Sequence, residues 1–356
     1  MKTEKFFNYT NMIQAAKWAF STRRVRQYDA VGLRDDVENA TPGDLVLGRI
    51  QKISSHRRIQ LRSGRPNELY PDDLIVAACG ARYASDQFEG IAKIDPLGTD
   101  LLAGGGCLGK MRVRNDKMKL PTRVLPIGLL TTAAGAVLNL NQYSLPPAVR
   151  PQTLTAIGVV GSSMNSGKTD ATASLVHGLS QAGYRVAALK ATGTGAFGDY
   201  NAYVDAGADY TADFTDAGLV STYEQPLPRI EQVIDTLLGA AANNGCNIAV
   251  VEFADGVLQQ ETAALLKNPK VRSAFIGFLY AAPDSLAAFG GTSTLKQIGI
   301  TPLALTGLIT QSPLNVREAE IATGLPVISR EDLRDPAQAS NLINSNTTIE
   351  KLRLVV

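Results

Sequence analysis

The chain has 356 residues, 45% of them hydrophobic and 19% charged, and its formal net charge is only +2. This length allows two domains, and the composition is that of an ordinary globular protein with sizeable cores. A charge so close to zero gives no general reason to expect a nucleic acid or a membrane surface as partner.

The number and spacing of cysteines and histidines limit the possible metal sites and indicate the cellular compartment. The three cysteines (Cys79, Cys107 and Cys246) lack metal-binding spacing and fit a reducing cytoplasm, and two histidines argue against a histidine-rich zinc site. The sequence contains neither a long apolar run of the kind that spans a membrane nor the apolar core of a signal peptide. We therefore expect a cytoplasmic protein without membrane contact.

The N-terminal part of the chain predicts one helix followed by a β-rich domain. Apolar and aromatic residues at helical spacing over 7–24, followed by a basic run, predict a helix within residues 1–26. Over residues 27–150, short β-like runs separated by Gly, Pro, Asn and Asp predict a compact, mostly antiparallel sheet or small barrel. Prolines between 146 and 151 indicate a linker.

Two segments of the β-rich domain admit two interpretations each. A hairpin-like stretch is either a solvated edge strand, which we favour, or a contact surface for an anionic partner. Its basic residues are Lys52, Arg57, Arg58, Arg62 and Arg65. The lack of interleaved aromatic residues disfavours nucleic acid as that partner. The glycine-rich run 102–110 is a bend between strands or, alternatively, a loop that covers an active site.

From residue 151 to 330 the sequence alternates between strand and helix patterns. Apolar runs predict strands at 154–160, 185–190, 247–252, 273–280, 302–309 and 325–328, and helical spacing predicts helices at 168–182, 227–243, 258–267, 283–298 and 314–322. This alternation is typical of the α/β class, here a three-layer domain with a mostly parallel sheet. Ligands of such sheets bind at the carboxyl ends of the strands. Residues 331–356 form a predicted C-terminal extension.

The region from 155 to 183 combines the parts of a phosphate-binding loop (P-loop). An apolar strand runs into a loop of small residues that ends in Gly-Lys-Thr at the start of an amphipathic helix. Backbone N–H groups of such a loop surround an anion, while Lys168 reaches the terminal phosphates and Thr169 offers a hydroxyl to Mg²⁺. The predicted nucleotide-binding residues are Gly161, Ser162, Ser163, Asn165, Ser166, Gly167, Lys168, Thr169 and Gln311.

Two charged residues stand at the carboxyl ends of predicted strands. Lys190 precedes small residues and can hold a phosphate or an anionic substrate from there, unless it is only a surface lysine. Glu252 stands where P-loop proteins carry a carboxylate that binds Mg²⁺ or positions water. Asp255 and Gly256, just beyond it, read as a turn. The predicted catalytic residues are Lys168, Lys190 and Glu252.

The segment after Lys190 is rich in aspartate. Its acids, spaced by four, four and three residues, are Asp205, Asp209, Asp213 and Asp216. On one helix they would form a stripe of like charges that needs a cation, which Mg²⁺ would supply. The other interpretations are a solvated acidic face and a segment that is not one continuous helix. The predicted metal ligands are therefore Thr169, Glu252 and one of Asp205, Asp209 and Asp213.

A later strand end holds polar residues whose role the sequence leaves open. Thr310, Gln311 and Asn315 follow a strand and precede a helix, so they could contact a nucleotide base or the substrate. Equally, Ser312 and Pro313 could simply begin the helix.

Three motifs in this order resemble those of dethiobiotin synthetase and of the related ATP-dependent amidoligase domains of cobyrinate synthases and CTP synthase. They are the long loop GxxxxxGKT from Gly161, Lys-x-Thr-Gly at Lys190 and Glu-x-Ala-x-Gly at Glu252, and the resemblance covers about residues 155–330. It implies ATP, with GTP not excluded, and Mg²⁺ as cofactors. Lys168 and Thr169 would bind the phosphates and Mg²⁺, Glu252 would be a metal ligand, and Lys190 would meet an activated carboxyl or carbamate of the substrate.

The same resemblance implies a metal-binding aspartate soon after Lys190, and spacing favours Asp205 or Asp209. Asp255 departs from the family, which has a small residue there, so the substrate contacts of that turn stay open. The second lysine of the partitioning ATPases is missing between residues 161 and 166, which disfavours a motor of that kind.

We expect an enzyme that phosphorylates a small-molecule carboxylate, or a similar oxygen, for ligation to an amine, and that acts as a homo-oligomer. A small-molecule kinase is the nearest variant. The alternative is a nucleotide-dependent binding or switch protein whose β-rich domain recognises a partner. The basic segment and the lack of an evident general base motivate this alternative.

Overall fold

The computed structural model describes residues 2–353 and the side chains of residues 9–344. The first residue of the predicted N-terminal helix and the last three residues of the predicted C-terminal extension lie outside the described residues. Contacts within the chain divide it into two compact units. Unit 1 comprises the described residues up to Pro146 with Gly193–Phe197 and Phe214–Gln225. Unit 2 comprises Pro147–Thr192, Gly198–Asp213 and the described residues from Pro226 onward. No helix within the described range is long and apolar enough to cross a membrane.

Unit 1 contains a closed barrel. Its elements are α1 (Lys2–Ala15), β1 (Lys17–Trp18), β2 (Gly32–Arg34), β3 (Leu45–Lys52), β4 (Arg58–Gln60), β5 (Pro66–Glu68), β6 (Leu74–Cys79), β7 (Arg82–Tyr83), β8 (Phe88–Ile91), β9 (Thr99–Ala103), β10 (Cys107–Arg114) and β11 (Thr122–Thr131). Strands β6, β3, β11, β9 and β10 form a ring of antiparallel neighbours that β10 closes by pairing in parallel with β6. The predicted β-rich, mostly antiparallel architecture is confirmed, and of the two predicted forms, sheet or small barrel, the strands adopt the barrel.

Each of the five ring strands contributes to one apolar core. Fully buried members of this core are Val46, Ile75, Leu101, Leu108 and Val124. The glycine-rich run 102–110 forms the turn between β9 and β10, as the bend interpretation predicts. Closure of the ring leaves none of these five strands with an unpaired edge, which is the usual advantage of a barrel.

The N-terminal helix ends earlier than the sequence predicted. α1 stops at Ala15, and Lys17–Trp18 form β1, which pairs in parallel with β6. Trp18, Ala19 and Phe20 are all buried. Successive buried residues do not fit the single apolar stripe of a surface helix, whereas a short strand followed by a turn can bury them. The prediction of a helix over residues 7–24 is therefore wrong beyond Ala15.

The basic segment contains a small hairpin whose charges are partly satisfied within unit 1. Strands β4 and β5 pair antiparallel, and the Nε of exposed Arg58 lies 2.5 Å from Glu68 Oε1. Arg62 donates hydrogen bonds of 2.8 Å to the backbone carbonyls of Arg23 and Val25. The two strands form a separate two-stranded sheet rather than an edge of the barrel. Whether the segment is only solvated or contacts an anionic partner stays a prediction.

Unit 2 is an α/β domain with a parallel sheet, as the sequence predicted. Its elements are β12 (Thr155–Gly161), α2 (Lys168–Gln181), β13 (Val186–Lys190), α3 (Phe197–Asp205), β14 (Tyr210–Asp213), α4 (Leu227–Asn243), β15 (Ile248–Glu252), α5 (Gln260–Lys267), α6 (Pro269–Arg272), β16 (Gly277–Ala281), α7 (Ser285–Gln297), β17 (Ala304–Thr306), α8 (Pro313–Thr323), α9 (Arg330–Arg334) and α10 (Pro336–Arg353). The strand order is β14-β13-β15-β12-β16-β17, and every neighbouring pair is parallel.

Two strand predictions in unit 2 are wrong. The acidic segment after α3 contains β14, an edge strand that the sequence did not predict. The strand predicted at 325–328 is reduced to a single bridge between Val327 and Leu305. Pro326 lacks the N–H that a longer ladder would use, which limits the pairing there.

The predicted C-terminal extension is, as far as it is described, part of the core of unit 2. Leu333 of α9 and Ala339 and Ile343 of α10 belong to the same buried cluster as Leu175 and Leu179 of α2. α9 and α10 pack against α2, and α2 in turn contacts the sheet. Without them, the apolar face of α2 would be exposed to water.

We predict that Gly178→Ala destabilises unit 2. A Cβ at this α2 position would lie 2.3 Å from the carbonyl oxygen of Leu333 and 2.9 Å from the Cβ of Ala339, so α9 and α10 would have to shift. We expect a loss of about 1–3 kcal/mol in the free energy of unfolding, measured with urea.

The matched control is Gly290→Ala in α7, where a Cβ would meet nothing within 4 Å. This substitution should be neutral or stabilising by up to about 1 kcal/mol because alanine favours the helix. Equal effects of the two substitutions would contradict the packing of α9 and α10 against α2.

Candidate functional site

The phosphate loop connects β12 with α2. β12 ends at Gly161 and α2 begins at Lys168, after Gly167 with φ of 96°. This left-handed conformation favours glycine. A Cβ at Gly161 would lie 2.3 Å from Ser166 Oγ, and one at Gly167 would lie 2.8 Å from the Cα of Gly307. Both glycines of the GxxxxxGKT motif are thus required by close approach of neighbouring atoms.

Loops from two other strand ends hold the phosphate loop in place. After β15, the N–H of Val257 donates to the carbonyl of Gly161 at 2.9 Å. After β17, the N–H of Leu308 donates to the carbonyl of Ser166 at 3.1 Å, next to Gly307, whose φ is 95°. The loop is therefore fixed from both sides at the carboxyl ends of the strands, where ligands of parallel sheets bind.

Lys168 lies at the base of this loop. Its side chain is buried, and its Nζ donates to the carbonyl of Ser163 at 2.8 Å. Burial lowers the pKa of Lys168, and the carboxylate of Glu252 opposes this shift. An ammonium group removed from water in this way interacts strongly with an incoming phosphate.

A cluster of charged side chains lies at the carboxyl ends of β13 and β15. Lys190 and Glu252 are register partners on these strands, and Lys190 Nζ lies 3.2 Å from Glu252 Oε1. Lys190 Nζ also forms an ion pair with Asp199, in the first turn of α3. Asp199 Oδ1 accepts a hydrogen bond of 3.0 Å from Thr169 Oγ1. Tyr203 donates its hydroxyl hydrogen to Glu252 Oε2 at 2.5 Å.

The charges of this cluster stabilise one another. Burial by itself would lower the pKa of Lys190, but the nearby carboxylates of Asp199 and Glu252 outweigh burial, and the pKa is raised. Burial would raise the pKa of Asp199, but Lys190 outweighs it, and this pKa is lowered. Burial, followed by the charge of Glu252, raises the pKa of Tyr203 well above its usual value. Lys190 and Asp199 are therefore charged, and Tyr203 is a neutral donor.

The structure brings together four predicted residues and adds two that the sequence did not predict. Lys168, Thr169, Lys190 and Glu252 all belong to the loop and its charge cluster. The additions are Asp199 and Tyr203. The position of Asp199 in the first turn of a short helix, nine residues after Lys190, is a usual place for an acid and was the available signal.

The acidic segment is not one continuous helix. α3 ends at Asp205, an exposed residue that lies six positions, or about 9 Å along the helix axis, beyond Asp199. Asp209 accepts a hydrogen bond of 2.8 Å from the N–H of Val186, at the opposite end of β13 from Lys190. The prediction of Asp209 as a metal ligand beside the phosphate loop is therefore wrong. Asp205 lies at the opposite end of α3 from Asp199.

The two remaining aspartates of that segment have separate positions. Asp213 is buried at the carboxyl end of β14, in register with Lys190, so its assignment as a metal ligand stays a prediction. Asp216 belongs to unit 1 and forms an ion pair with Arg23.

Gln311 is exposed at the end of a 3₁₀ turn, Leu308–Gln311, that begins beside the phosphate loop. Ser312 Oγ accepts a hydrogen bond of 3.3 Å from the N–H of Asn315, and Pro313 follows as the first residue of α8. Ser312 and Pro313 thus begin the helix, as one interpretation proposed. The role of Gln311 in nucleotide binding stays a prediction.

The residues at this site fit a nucleotide phosphate and Mg²⁺. Ser166 Oγ is buried without a hydrogen-bond partner within the described chain, as expected for a hydroxyl that faces a phosphate. No group of three or more His, Cys, Asp or Glu side chains among the described residues could hold a metal. A divalent ion would instead combine Thr169, Asp199 or Glu252 with phosphate oxygens and water, which is the usual coordination of Mg²⁺.

Comparisons with known proteins add little to this geometry. No protein-family model and no curated protein matches the chain. Similar solved structures include the signal recognition particle 54 kDa protein of Aeropyrum pernix K1 in complex with GDP, with 18% identity over 58% of this chain and 52% of that one, at a TM-score of 0.37. The match thus spans about half the length of the Aeropyrum protein.

Two structures of the signal recognition particle receptor FtsY from Elizabethkingia anophelis also match. One has 15% identity over 55% of this chain and 67% of that one, and the GDP complex has 16% identity over 56% and 67%, both with a TM-score of 0.38. These matches give no support to the finer assignment to dethiobiotin synthetase. The strand, loop and helix of unit 2, together with its parallel sheet, have the architecture of a P-loop nucleotide-binding domain.

We predict that Tyr203→Phe destabilises unit 2 because it removes a hydrogen bond to the buried carboxylate of Glu252. Hydrogen bonds to charged groups contribute about 1.5–3 kcal/mol, and we expect a loss of this size in urea unfolding. Tyr184→Phe, a half-buried tyrosine packed against the same core, is the control and should change stability by less than about 0.5 kcal/mol. Equal losses would show that the Tyr203–Glu252 hydrogen bond has no net effect.

Proposed function

We propose that the chain is a nucleotide-dependent switch protein. Unit 2 binds a nucleoside triphosphate with Mg²⁺ and slowly cleaves the terminal phosphate, and the bound nucleotide controls how unit 1 recognises a macromolecular partner. The observation that carries this proposal is the path of the chain between Lys190 and Asp199, the two residues of an ion pair in the phosphate site.

The phosphate chemistry rests on residues already in contact. The loop after Gly161 supplies backbone N–H groups and the Ser166 hydroxyl, and the buried ammonium of Lys168 supplies positive charge. Thr169, Asp199 and Glu252 provide oxygens for the metal, which when bound neutralises phosphate charge and orients the terminal phosphate. Positioning and charge are the main requirements of phosphoryl transfer, so this set suffices for slow hydrolysis.

The path of the chain links this chemistry to unit 1. After Lys190 the chain continues for two residues in unit 2, contributes Gly193–Phe197 to unit 1 and returns at Gly198, one residue before Asp199. Within unit 1, the N–H of Phe197 donates to Gln60 Oε1 at 2.7 Å, and the N–H of Gly195 donates to the carbonyl of Val220 at 2.9 Å. A change in the Lys190–Asp199 pair on nucleotide binding therefore acts on both ends of a segment that belongs to unit 1.

An ATP-dependent ligase is the second candidate. The long phosphate loop and the lysine at the end of β13 favour it, and the enzyme would phosphorylate a small-molecule carboxylate for attack by an amine. In that account Lys190 contacts the substrate. The path of the chain between Lys190 and Asp199, which passes through unit 1, has no role in that account. This path is our reason for preferring the switch.

We predict that Lys168→Ala abolishes nucleotide binding and lowers hydrolysis by about a hundredfold or more, because the buried cation nearest the loop is lost. Binding is measured by titration with fluorescent ATP and GTP analogues in Mg²⁺, and hydrolysis by release of phosphate. The control is Lys267→Ala, an exposed lysine at the end of α5, which should behave as wild type. Unchanged binding by Lys168→Ala would contradict the assignment of the site.

The two candidate functions differ in what stimulates turnover. For a switch, a macromolecular fraction raises the hydrolysis rate, and the only small products are the nucleoside diphosphate and phosphate. For a ligase, a metabolite pool raises turnover and mass spectrometry detects a new amide that Lys168→Ala does not form. Stimulation by small metabolites alone, with such a product, would overturn the switch in favour of the ligase.

A further inference from the structure

The ammonium group of Lys190 lies among the oxygens that a metal would use. Its Nζ contacts Asp199 Oδ2 and is 3.2 Å from Glu252 Oε1, and Asp199 also accepts from the Thr169 hydroxyl at 3.0 Å. The exposed fraction of the Lys190 side chain is 13%, and that of the Glu252 side chain is 2%. One cation, covalently part of the chain, thus sits between the two carboxylates of the site.

The carboxylates of buried Glu252 and partly buried Asp199 require a positive charge between them. If both were left without one, each would be a partly desolvated anion beside another, which is strongly unfavourable. Lys190 supplies this charge as a tethered group, so it competes at high effective concentration with any ion from solution. Free Mg²⁺ is at a disadvantage because it gives up its water reluctantly and binds proteins best with phosphate oxygens as additional ligands.

Building on the proposed function, we propose that Lys190 occupies the metal position of the nucleotide-free site and keeps free Mg²⁺ out until a nucleotide brings it. Phosphates add negative charge and further oxygen ligands, which together outweigh one ammonium group. In the loaded site Asp199 and Glu252 would hold the metal, which would neutralise phosphate charge, and Lys190 would turn to other anionic oxygens. Metal binding is thereby tied to nucleotide binding, and the Lys190–Asp199 pair breaks only when the site is loaded.

Tyr203 holds Glu252 in position during this exchange. Its hydroxyl donates to the second oxygen of Glu252, Oε2, while Lys190 contacts Oε1. Glu252 therefore keeps one hydrogen bond when Lys190 leaves. Asp199 likewise keeps the Thr169 hydroxyl as a neighbour. The carboxylates stay in position, and the side chain that moves is the long, flexible lysine.

The test measures metal binding by the full chain without nucleotide, with Mn²⁺ as the probe and electron paramagnetic resonance as the readout. Wild type should bind Mn²⁺ weakly at this site. Lys190→Met removes the competing charge at similar side-chain length and should bind one Mn²⁺ at least about tenfold more tightly. The double variant Lys190→Met with Asp199→Asn should lose this gain, which assigns the bound ion to the site rather than to surface carboxylates.

Two results would overturn the proposal. One is equal Mn²⁺ affinity of wild type and Lys190→Met, and the other is tight binding of one Mn²⁺ by wild type without nucleotide. If Lys190→Met does not fold, wild type decides alone, because it must take up one Mn²⁺ only when a non-hydrolysable triphosphate is added. A wild type that binds no nucleotide would contradict the proposed function, whereas the gain of Mn²⁺ affinity in the variant can still be read.

Discussion

The mutual neutralisation of buried charges is the constraint on which the site of unit 2 depends. At the carboxyl ends of β13 and β15, Lys190 bridges partly buried Asp199 and buried Glu252. Burying any one of these charges alone would cost several kcal/mol, so each is tolerated only with its partners in place. Parallel register places Lys190 beside Glu252, and the start of α3 adds Asp199. The pairing of β13 with β15 and the position of α3 therefore assemble the charge cluster of the candidate site.

The central residues of this site could be predicted because the ends of apolar strands can be recognised in the sequence. Lys168, Lys190 and Glu252 each follow an apolar strand or a glycine loop, and parallel strands bring such ends to one edge of a sheet. Asp199 was missed because the sequence analysis did not predict the short helix whose first turn contains it, and assigned the metal to the more numerous acids that follow. Asp209 was misassigned because the chain turns back after α3 and starts a new strand, which places this residue at the opposite edge.

The boundary between the two units could not be read from contiguous stretches of sequence. Gly193–Phe197 and Phe214–Gln225 follow strands of unit 2 but belong to unit 1. Their membership depends on contacts between residues far apart in the chain, such as the hydrogen bond from Phe197 to Gln60. Composition and periodicity describe neighbours in sequence and carry no trace of such contacts. In the proposed function, this excursion of the chain is the route by which the phosphate site influences unit 1.

The most direct test of this account is a crystal structure of the full chain with Mg²⁺ and a non-hydrolysable nucleoside triphosphate. We predict terminal phosphate oxygens within hydrogen-bond distance of Lys168 Nζ, the metal next to Thr169 Oγ1, and Lys190 no longer between Asp199 and Glu252. A nucleotide bound away from the Gly161–Thr169 loop would contradict the assignment of the site. A loaded site in which Lys190 still bridges both carboxylates would contradict the exchange of lysine for metal.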